Sequence, residues 1–340
     1  MINNILVVNV NWVGDVIFST PIFKAIKTKY PKARVTCLAV PRVKEILESC
    51  PGIDEIIIYD EKGRGRGLLG KFHIVKEMRK RKFDLVFLLH RSWTRALLAF
   101  LAGIPQRVGY DAKNRGKFLT HKVSYLTGDV HRSDFYTHVI ESYGFEIKDR
   151  TCSIDVSSKD KATMQKKLND AGITEKDFVV VVNPGGNWDL KRWPKENVAS
   201  LIQQLMVALK VKVVVPGALK DKGLVDDIVK LSNVKPVVVA GETTLKELMA
   251  LLSLADVMVS ADSGPMHIAN CVGTKTVCLF GPTRPEITGP RGKGQYTIIQ
   301  KDTGCNREAC YFLKCPENIC MKEIAVDEVF NEVECLKKQK

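Results

Sequence analysis

The chain has 340 residues, of which 45% are hydrophobic and 26% are charged, and its formal net charge is +14. This length favours two domains over a single core, and the composition is ordinary for a globular protein. The positive charge predicts an acidic partner, such as a nucleic acid, an anionic membrane surface or a phosphorylated substrate. No apolar run approaches the roughly 20 residues that span a bilayer, and no basic segment precedes the strand-like residues 5–8, so we expect neither a membrane helix nor a signal peptide.

Short apolar strands alternate with amphipathic helices through the first half of the chain. Strands are predicted over residues 4–10, 33–39, 54–59, 83–89 and 106–109. Helices are predicted over residues 15–29, 41–48, 68–81 and 92–102. This alternation is typical of a parallel sheet that is covered by helices on both faces.

The second half repeats the pattern. Its predicted strands are 178–183, 211–215, 236–239, 256–260 and 276–280, and its predicted helices are 194–209, 221–232, 244–253 and 265–272. The polar segment 149–177, with one strand candidate at 151–156, places the domain boundary between the halves. The sequence therefore predicts an α/β protein with two Rossmann-like, doubly wound domains, a class that binds ligands in a cleft at the strand ends.

The first predicted strand is followed by Asn11-Trp12-Val13-Gly14-Asp15, a turn that opens a helix. Gly14 makes the turn, and Asp15 falls in the first helical turn. One interpretation is a carboxylate that complements the helix dipole, which is worth about 0.3–1 kcal/mol. The other is a general base that removes the proton of an attacking hydroxyl while a diphosphate leaves, as in an inverting sugar transfer. The position alone leaves both interpretations open.

An apolar strand in the second half leads into Asp262-Ser263-Gly264-Pro265-Met266-His267. Small residues at a helix start aim unpaired N–H groups and the positive end of the helix dipole at one point, where an anion such as phosphate binds. Ser263 and Gly264 allow a ligand to approach the backbone, and Asp262 and His267 add polar groups. The chain has no G-x-S-x-G elbow, so these residue types do not indicate a serine hydrolase.

Three further turns follow predicted strands, namely Asn183-Pro184-Gly185-Gly186-Asn187, Pro216-Gly217-Ala218 and Phe280-Gly281-Pro282-Thr283. In a parallel sheet, all of these turns lie at one edge. Gly185 and Gly186 would then permit a nucleotide diphosphate to approach the backbone, and Lys191 and Arg192 could bind its phosphates. The alternative is that glycine and proline only punctuate loops.

Basic residues crowd the first half of the chain. They include a run from Lys62 to Lys82, and for residues 76–82 we expect a solvated face. Arg91 and Arg95 differ, because they follow strand 83–89 at the expected ligand edge, and Arg107 and Arg115 flank a similar turn. We expect these four arginines to bind an acidic acceptor.

Two other sequence patterns are weaker evidence of a binding site. Residues 65–70 match the dinucleotide pattern G-x-G-x-x-G, but a charged segment separates them from the preceding strand, and no ribose-binding acid follows the next one. Cys305, Cys310, Cys315 and Cys320 recur every five residues without the close pairs of zinc sites. This spacing favours structural or unpaired thiols, and a structural metal or a redox pair is the alternative.

Taken together, the motifs resemble glycosyltransferase family 9, the ADP-heptose:lipopolysaccharide heptosyltransferases. The resemblance covers nearly the whole chain and rests on the order and spacing of residues 11–15, 183–194, 216–221, 262–267 and 280–283. The tail, with Cys315-Pro316 and residues 320–324, is more similar to the heptosyltransferase II branch than to the I branch.

The resemblance implies a GT-B fold, in which two Rossmann-like domains face each other across a cleft. It implies an acceptor domain over 1–155, a nucleotide-sugar domain over 156–322, and a C-terminal helix, 323–340, that returns to the first domain. Asp15 matches the catalytic base, beside Asn11, Trp12 and Gly14, and Lys191 matches a phosphate-binding lysine. The remaining donor-binding positions are Gly185, Gly186, Asn187, Asp221 at the ribose, Thr243 and Thr244 at the adenine, Asp262 near the heptose, Ser263, Gly264 and His267.

The resemblance also implies an inverting enzyme that needs no metal or cofactor and uses ADP-heptose as its donor. Its acceptor would be an anionic lipid A–Kdo glycolipid at the cytoplasmic face of the inner membrane, where the charge of +14 would hold a monomeric, peripheral protein. One alternative is a family member with another sugar nucleotide or a glycan acceptor outside lipopolysaccharide. A remote alternative is a nucleic-acid-binding protein, which would leave the four donor-domain turns unexplained.

Overall fold

A computed structural model describes residues 2–63, 65–305, 310 and 315–339. The chain divides into two compact units, Met1–Asp155 and Val156–Lys340. Each unit contains a six-stranded sheet in which every described strand pair is parallel. No helix in the described part of the chain is long and apolar enough to cross a membrane.

The first unit is doubly wound. Its strands are β1 (Asn4–Val8), β2 (Arg34–Ala39), β3 (Glu55–Ile58), β4 (Leu85–Leu88), β5 (Gln106–Tyr110) and β6 (His121–Val123). Its helices are α1 (Val13–Phe18), α2 (Thr20–Lys29), α3 (Lys44–Glu48), α4 (Gly67–Lys80), α5 (Trp93–Leu101) and α6 (Arg132–Glu141). The sheet order β3-β2-β1-β4-β5-β6 reverses beside β1, which is the Rossmann arrangement.

The second unit repeats this arrangement. Its strands are β7 (Val179–Asn183), β8 (Lys212–Val215), β9 (Val237–Val238), β10 (Val257–Ala261), β11 (Lys275–Phe280) and β12 (Tyr296–Gln300). Its helices are α7 (Ser158–Asp170), α8 (Lys195–Val207), α9 (Lys222–Ser232), α10 (Leu245–Leu254), α11 (Gly264–Val272), α12 (Pro285–Thr288), α13 (Ile319–Lys322) and α14 (Val326–Lys338). The order β12-β11-β10-β7-β8-β9 reverses beside β7, so each unit has one such reversal point.

Apolar runs explain the central strands. Every residue of β7, Val-Val-Val-Val-Asn, is buried, and so is every residue of β4 and β10. Such strands are covered by helices on both faces, and β-branched side chains fit the pleated surface. The strands at the sheet edges differ: β6 has three residues, two of them exposed, and β12 is largely exposed or half-buried. Their mixed composition is the reason that the sequence pattern missed both.

Local polar contacts account for other differences from the sequence pattern. The predicted helix 15–29 is two helices, because the Ser19 hydroxyl bonds the Val16 carbonyl and Pro21 cannot donate a backbone hydrogen bond to continue the first. The predicted strand 151–156 is wrong. Its backbone bonds elsewhere, from Ser153 to the Thr20 hydroxyl and from Asp155 to the Ser49 carbonyl.

Helix α14 packs in the second unit. Val329, Val333 and Leu336 are buried in the core that also contains helix α8, and the Lys337 ammonium bonds the Leu209 carbonyl at 2.6 Å. The Trp193 indole bonds the Ile324 carbonyl at 3.1 Å, which fixes the segment before this helix. These contacts differ from the expectation that residues 323–340 return to the first unit. The apolar face of the helix is buried by its own unit instead.

Candidate functional site

Asp15 lies at the carboxyl edge of the first sheet, in the first turn of α1. Strand β1 ends at Val8, and the buried Asn9 then fixes the turn: its Oδ1 accepts from the Val10 N–H at 2.7 Å and from the Ser19 hydroxyl at 3.1 Å. The Asp15 side chain is half-buried. The sequence position and the helix start agree with the prediction, while the role of Asp15 as a base stays a prediction.

Tyr136 of α6 contacts Asp15 directly. Its hydroxyl donates a hydrogen bond to Asp15 Oδ1 at 2.9 Å. Burial and the neighbouring charge of Asp15 raise the pKa of the phenol well above its ordinary value, so it stays a donor at physiological pH. The start of α6 is fixed by Tyr110, which stacks on Phe135 and bonds its carbonyl. Sequence analysis did not identify Tyr136.

Arg95 and Arg115 are buried, which corrects the prediction that they bind an acceptor. Arg95 is 1% exposed and donates to the Asn9 carbonyl, to Asn11 Oδ1 and to Glu61. Arg115 is 0% exposed and donates to the carbonyls of Tyr110 and His90. Both guanidinium groups therefore organise the ends of strands and turns at this edge.

Arg107 is also a structural residue. It lies early in β5, at the amino-terminal side of the sheet, and its guanidinium donates to the carbonyls of Ile104 and Phe118. The predicted acceptor contact of Arg107 is wrong, because the residue is at the opposite edge from Asp15.

Arg91 is the one of the four predicted arginines whose side chain is exposed. Its guanidinium lies 5.7 Å from the Tyr125 ring and 5.8 Å from the Phe135 ring. At the same sheet edge, Trp12 is half exposed beneath the Arg42 guanidinium, and Gly14 lies in the first turn of α1. These cationic and aromatic groups form a surface that suits an anionic glycan, since sugars stack on aromatic rings and arginine binds phosphate and carboxylate.

The four predicted turns of the second unit do lie at one edge. They follow β11, β10, β7 and β8, which are neighbours in the sheet and parallel. Gly185 is buried and packs so closely that a Cβ there would meet Asp221 Oδ2 at 3.0 Å. Asn183 joins two of the turns, because its amide donates to the Gly185 carbonyl and to Ser260 and Ser263. The sequence motif contained Asn183, but its bridging role emerges only from the fold.

Asp262 is the centre of this edge. It is buried, and its Oδ2 accepts from the Lys191 ammonium at 2.7 Å, from Thr283 at 2.7 Å and from Thr288 at 3.1 Å. The His267 imidazole lies 3.4 Å from Oδ1. Burial alone would raise the pKa of the carboxyl, but the hydrogen bond from His267 and the charge of Lys191 outweigh it and hold the pKa well below its ordinary value. Asp262 is therefore an anion with a fixed cation beside it.

Ser263 precedes α11, and Gly264 is the first residue of that helix. Pro265, at the second helical position, has no N–H group, and the first N–H groups of α11 have no acceptor within the helix, as at any helix start. An ammonium group has three donors, and the bond from Lys191 to Asp262 uses one of them. The helix start and Lys191 together form a site that can bind an anion.

Asp221 and Arg192 form a second connection between the turns. Asp221 is buried; its Oδ2 accepts from the Ala218 N–H at 3.0 Å, and its Oδ1 lies 3.3 Å from the Arg192 guanidinium. Arg192 also donates to the Gly186 carbonyl at 2.7 Å. These contacts connect the turn after β7 to the turn after β8. The predicted contact of Asp221 with a ribose stays a prediction.

Three predicted donor residues lie at the rim of this edge. Asn187 is exposed, and its Oδ1 accepts from Lys220 at 2.8 Å. Thr244 is the N-cap of α10: its hydroxyl accepts from the Glu247 N–H, and Glu247 accepts from the Thr244 N–H. This capping box gives the Thr244 hydroxyl a structural role. Thr243, immediately before it, is half-buried, and its contact with adenine stays a prediction.

Four cysteines near the C-terminus were candidates for a metal site or a redox pair. Cys305, Cys310, Cys315 and Cys320 are not in disulfides, but residues 306–309 and 311–314 lie outside the described residues. Within the described ranges, no group of three or more histidine, cysteine, aspartate or glutamate side chains could hold a metal ion. The role of these thiols stays a prediction.

Comparisons with known proteins identify the family of the chain. The model of glycosyltransferase family 9 (heptosyltransferase) matches residues 71–315. Lipopolysaccharide heptosyltransferase 2 of Salmonella typhimurium is 26% identical over 306 residues, which cover 84% of this chain and 85% of the relative. Lipopolysaccharide heptosyltransferase 3 of Escherichia coli is 29% identical over 281 residues, which cover 79% of this chain and 81% of the relative.

Two solved structures are similar over the full length. A glycosyl transferase family 9 protein from Veillonella parvula has a TM-score of 0.86 at 24% identity and covers 99% of this chain and 98% of its own. ADP-heptose LPS heptosyltransferase II of E. coli has a TM-score of 0.81 at 22% identity and covers 99% of both chains. The similarity confirms the predicted fold class, with two parallel-sheet α/β domains of the GT-B type.

Proposed function

Because the chain belongs to glycosyltransferase family 9 (heptosyltransferase), we propose that it transfers heptose from ADP-heptose to the inner core of lipopolysaccharide, with a Kdo- or heptose-bearing lipid A as acceptor. The relatives named above are lipopolysaccharide heptosyltransferases, which supports both substrates. The proposal assigns the donor to the second unit and the acceptor to the first.

The observation that carries the proposal is the group around Asp262. A diphosphate needs cationic and N–H donors without a surplus of negative charge. The start of α11 supplies N–H groups, and Lys191 is held 2.7 Å from Asp262 with further donors to give. Charge that develops on the departing diphosphate would be stabilised by these groups, so the proposed transfer needs no metal ion.

Asp15 is the proposed general base. A half-buried carboxylate in the first turn of α1, with the Tyr136 hydroxyl on one oxygen, has its other oxygen available to accept the proton of an acceptor hydroxyl. Attack by the acceptor hydroxyl oxygen on the anomeric carbon of the heptose, while the C–O bond to ADP breaks, inverts the configuration at that carbon. The proton ends on Asp15, and the electrons of the broken bond leave with ADP.

The proposed acceptor is anchored in a membrane, which places the enzyme at the cytoplasmic face of the inner membrane. The net charge of +14 favours an anionic surface and an acceptor rich in phosphate and carboxylate. Arg91 and Arg42, exposed beside aromatic rings at the sheet edge that contains Asp15, are the residues expected to contact the anionic acceptor.

A product assay tests the donor and the acceptor together. Purified protein is incubated with ADP-heptose and truncated acceptors that carry Kdo with or without a first heptose, and products are analysed by mass spectrometry. We expect a mass increase of one heptose on one acceptor, with release of ADP. Calorimetric titration with ADP, UDP and GDP gives an independent result: tight UDP binding without ADP binding would contradict the donor assignment.

A further inference from the structure

The first two turns of α4 expose three large apolar side chains. Leu68 is 83% exposed, Leu69 is 86% exposed and Phe72 is 68% exposed. Phe72 lies four residues after Leu68 and three after Leu69, and residues at both spacings are neighbours on a helix surface. Contiguous apolar side chains at such exposure are a common sign of an interaction surface.

The glycines that match the dinucleotide pattern explain this geometry. Gly65 and Gly70 pack so closely that a Cβ on Gly70 would meet the Gly65 backbone at 2.3 Å. Gly67 starts the helix with a φ of 78°, which favours glycine. The glycines therefore fold the loop tightly against the inner side of α4, and the two leucines between them point to solvent.

Cationic side chains surround this apolar turn. Lys62 and Arg66 precede it in the loop, and Lys76 and Lys80 continue along the exposed face of the helix; all four are exposed. Residues 62–82 contain nine lysines and arginines and one glutamate. The interior face, with Ile74, Val75 and Met78, is buried. One helix therefore presents an apolar tip and a basic flank to the same side.

The location connects this surface to the predicted acceptor site. Helix α4 follows β3, so its first turn lies towards the carboxyl edge of the first sheet, the edge at which Asp15 lies. Glu61, in the same loop, bonds Arg95, which in turn bonds the side chain of Asn11, two residues before the start of α1. An occupant of the surface is therefore adjacent to that edge.

We infer that Leu68, Leu69 and Phe72, with the surrounding Lys62, Arg66, Lys76 and Lys80, form a docking surface for an anionic lipid bilayer. Leucine and phenylalanine beside lysine and arginine are typical of helices that lie in the membrane interface, where apolar side chains enter the acyl region and cations contact headgroups. The core of a protein–protein interface is depleted of lysine, and a second copy of the chain would bring the same cations to the contact. The charge therefore favours lipid over a second copy of the chain.

The inference deepens the proposed function, because it gives the lipid of the acceptor a place to enter beside Asp15. Its test does not depend on sugar transfer. Full-length protein is sedimented with vesicles of phosphatidylcholine, with or without phosphatidylglycerol. The variants are Leu68→Gln/Leu69→Gln/Phe72→Gln and Lys76→Glu/Lys80→Glu. The matched control is Val207→Gln/Leu231→Gln, which replaces exposed apolar side chains on helices of the second unit.

We expect the wild type and the control to bind vesicles that contain phosphatidylglycerol. The partition coefficient of the triple variant should be about tenfold or more below that of the wild type. The partition coefficient of the lysine variant should be lower by about fivefold or more for each lysine that is replaced, and only on vesicles that contain phosphatidylglycerol. Thermal unfolding of all variants should match that of the wild type, since the changed side chains are exposed.

Equal vesicle binding by the triple variant and the wild type would overturn the inference. So would a wild-type dimer in solution that the triple substitution converts to a monomer, because a second copy would then cover the surface. If vesicle binding depends on these residues while no heptose is transferred to any acceptor, the docking surface stands and the proposed function fails.

Discussion

The hydroxyl of Tyr136 reaches the carboxylate of Asp15 across 121 residues of sequence and bonds it at 2.9 Å. The contact sets the orientation of the carboxylate relative to α1, because one oxygen is engaged and the other is left for the acceptor. A neutral phenol also stabilises the ionised carboxylate without adding a charge. Tyr136 is therefore a positioning residue for the proposed base.

Replacing Tyr136 with phenylalanine should lower turnover. Without the donor, the Asp15 carboxylate loses the hydrogen bond that orients it. We expect kcat/KM near neutral pH to fall by about tenfold, since a hydrogen bond to a charged group contributes about 1.5–3 kcal/mol, while the affinity for ADP stays unchanged. Tyr110→Phe is the control, because it loses a core hydrogen bond to Phe135 and should lower stability without lowering kcat/KM.

Asp15→Ala should nearly abolish turnover. General base catalysis contributes typically about 10²–10⁴-fold, and the proposed mechanism offers no other base. Binding of ADP, measured by calorimetry, should be largely unchanged, because the proposed donor residues are in the second unit. Asp15→Asn keeps the shape and the contact with Tyr136 and should be as inactive as the alanine variant. Normal turnover in either variant would remove Asp15 from the mechanism.

Lys191→Ala should reduce the rate by about 10²–10³-fold if Lys191 stabilises the leaving diphosphate. It should also lower the free energy of unfolding by about 1–3 kcal/mol, because Asp262 stays buried without its cation. The double variant Lys191→Ala/Asp262→Asn separates the two effects: stability should recover in urea unfolding, whereas the rate should not. Recovery of the rate together with stability would show that Lys191 acts only on the fold.

Asp262 should make stability depend on pH in acid. The pKa of its carboxyl is lower in the folded chain than its ordinary value of 3.8. The stabilisation by the ionised group is therefore complete above that ordinary value and is lost as the pH falls towards the folded-state pKa. Urea unfolding between neutral pH and about pH 3 should show the wild type converging on Asp262→Asn below about pH 4. A constant difference between the two proteins would contradict this assignment.

Thr244→Ala should destabilise the second unit by about 1 kcal/mol, the usual contribution of an N-cap. The affinity for ADP should not change, because the hydroxyl is already engaged by α10. Thr243→Ala is the matched comparison, with weaker ADP binding and little effect on stability. Reduced ADP affinity in Thr244→Ala, at unchanged stability, would show that Thr244 binds the donor.

The turns at the carboxyl edge of the second sheet could be predicted from the sequence because the necessary information is local. A valine-rich strand that ends in glycine or proline specifies both the strand and its turn, and parallel pairing then brings Gly185, Asp262 and Thr283 to the same edge. The Thr244 cap is also specified by local sequence, because threonine is followed three residues later by glutamate. The capping-box pattern would have predicted this helix start.

The arginines show where such reasoning stops. Arg91 and Arg95 are four residues apart and both follow β4, yet Arg91 is exposed and Arg95 is buried. Which of them meets solvent depends on Asn9, Asn11 and Glu61, which come from two other segments. Tyr136 likewise carries no local signal, since its partner is placed by the packing of α6. The sequence predicts the sign of the charge on a surface, but tertiary structure decides which charged side chains are buried.

The buried guanidinium group of Arg115 fixes a positive charge inside the first unit. Burial lowers the pKa of Arg115 to about 10, so the group remains a cation at neutral pH. Its donors meet the carbonyl groups of Tyr110 and His90, which are dipoles without net charge. These two partners therefore leave the charge in place at the carboxyl edge of the sheet, in one position set by the fold, whereas an exposed lysine carries its charge on a flexible side chain.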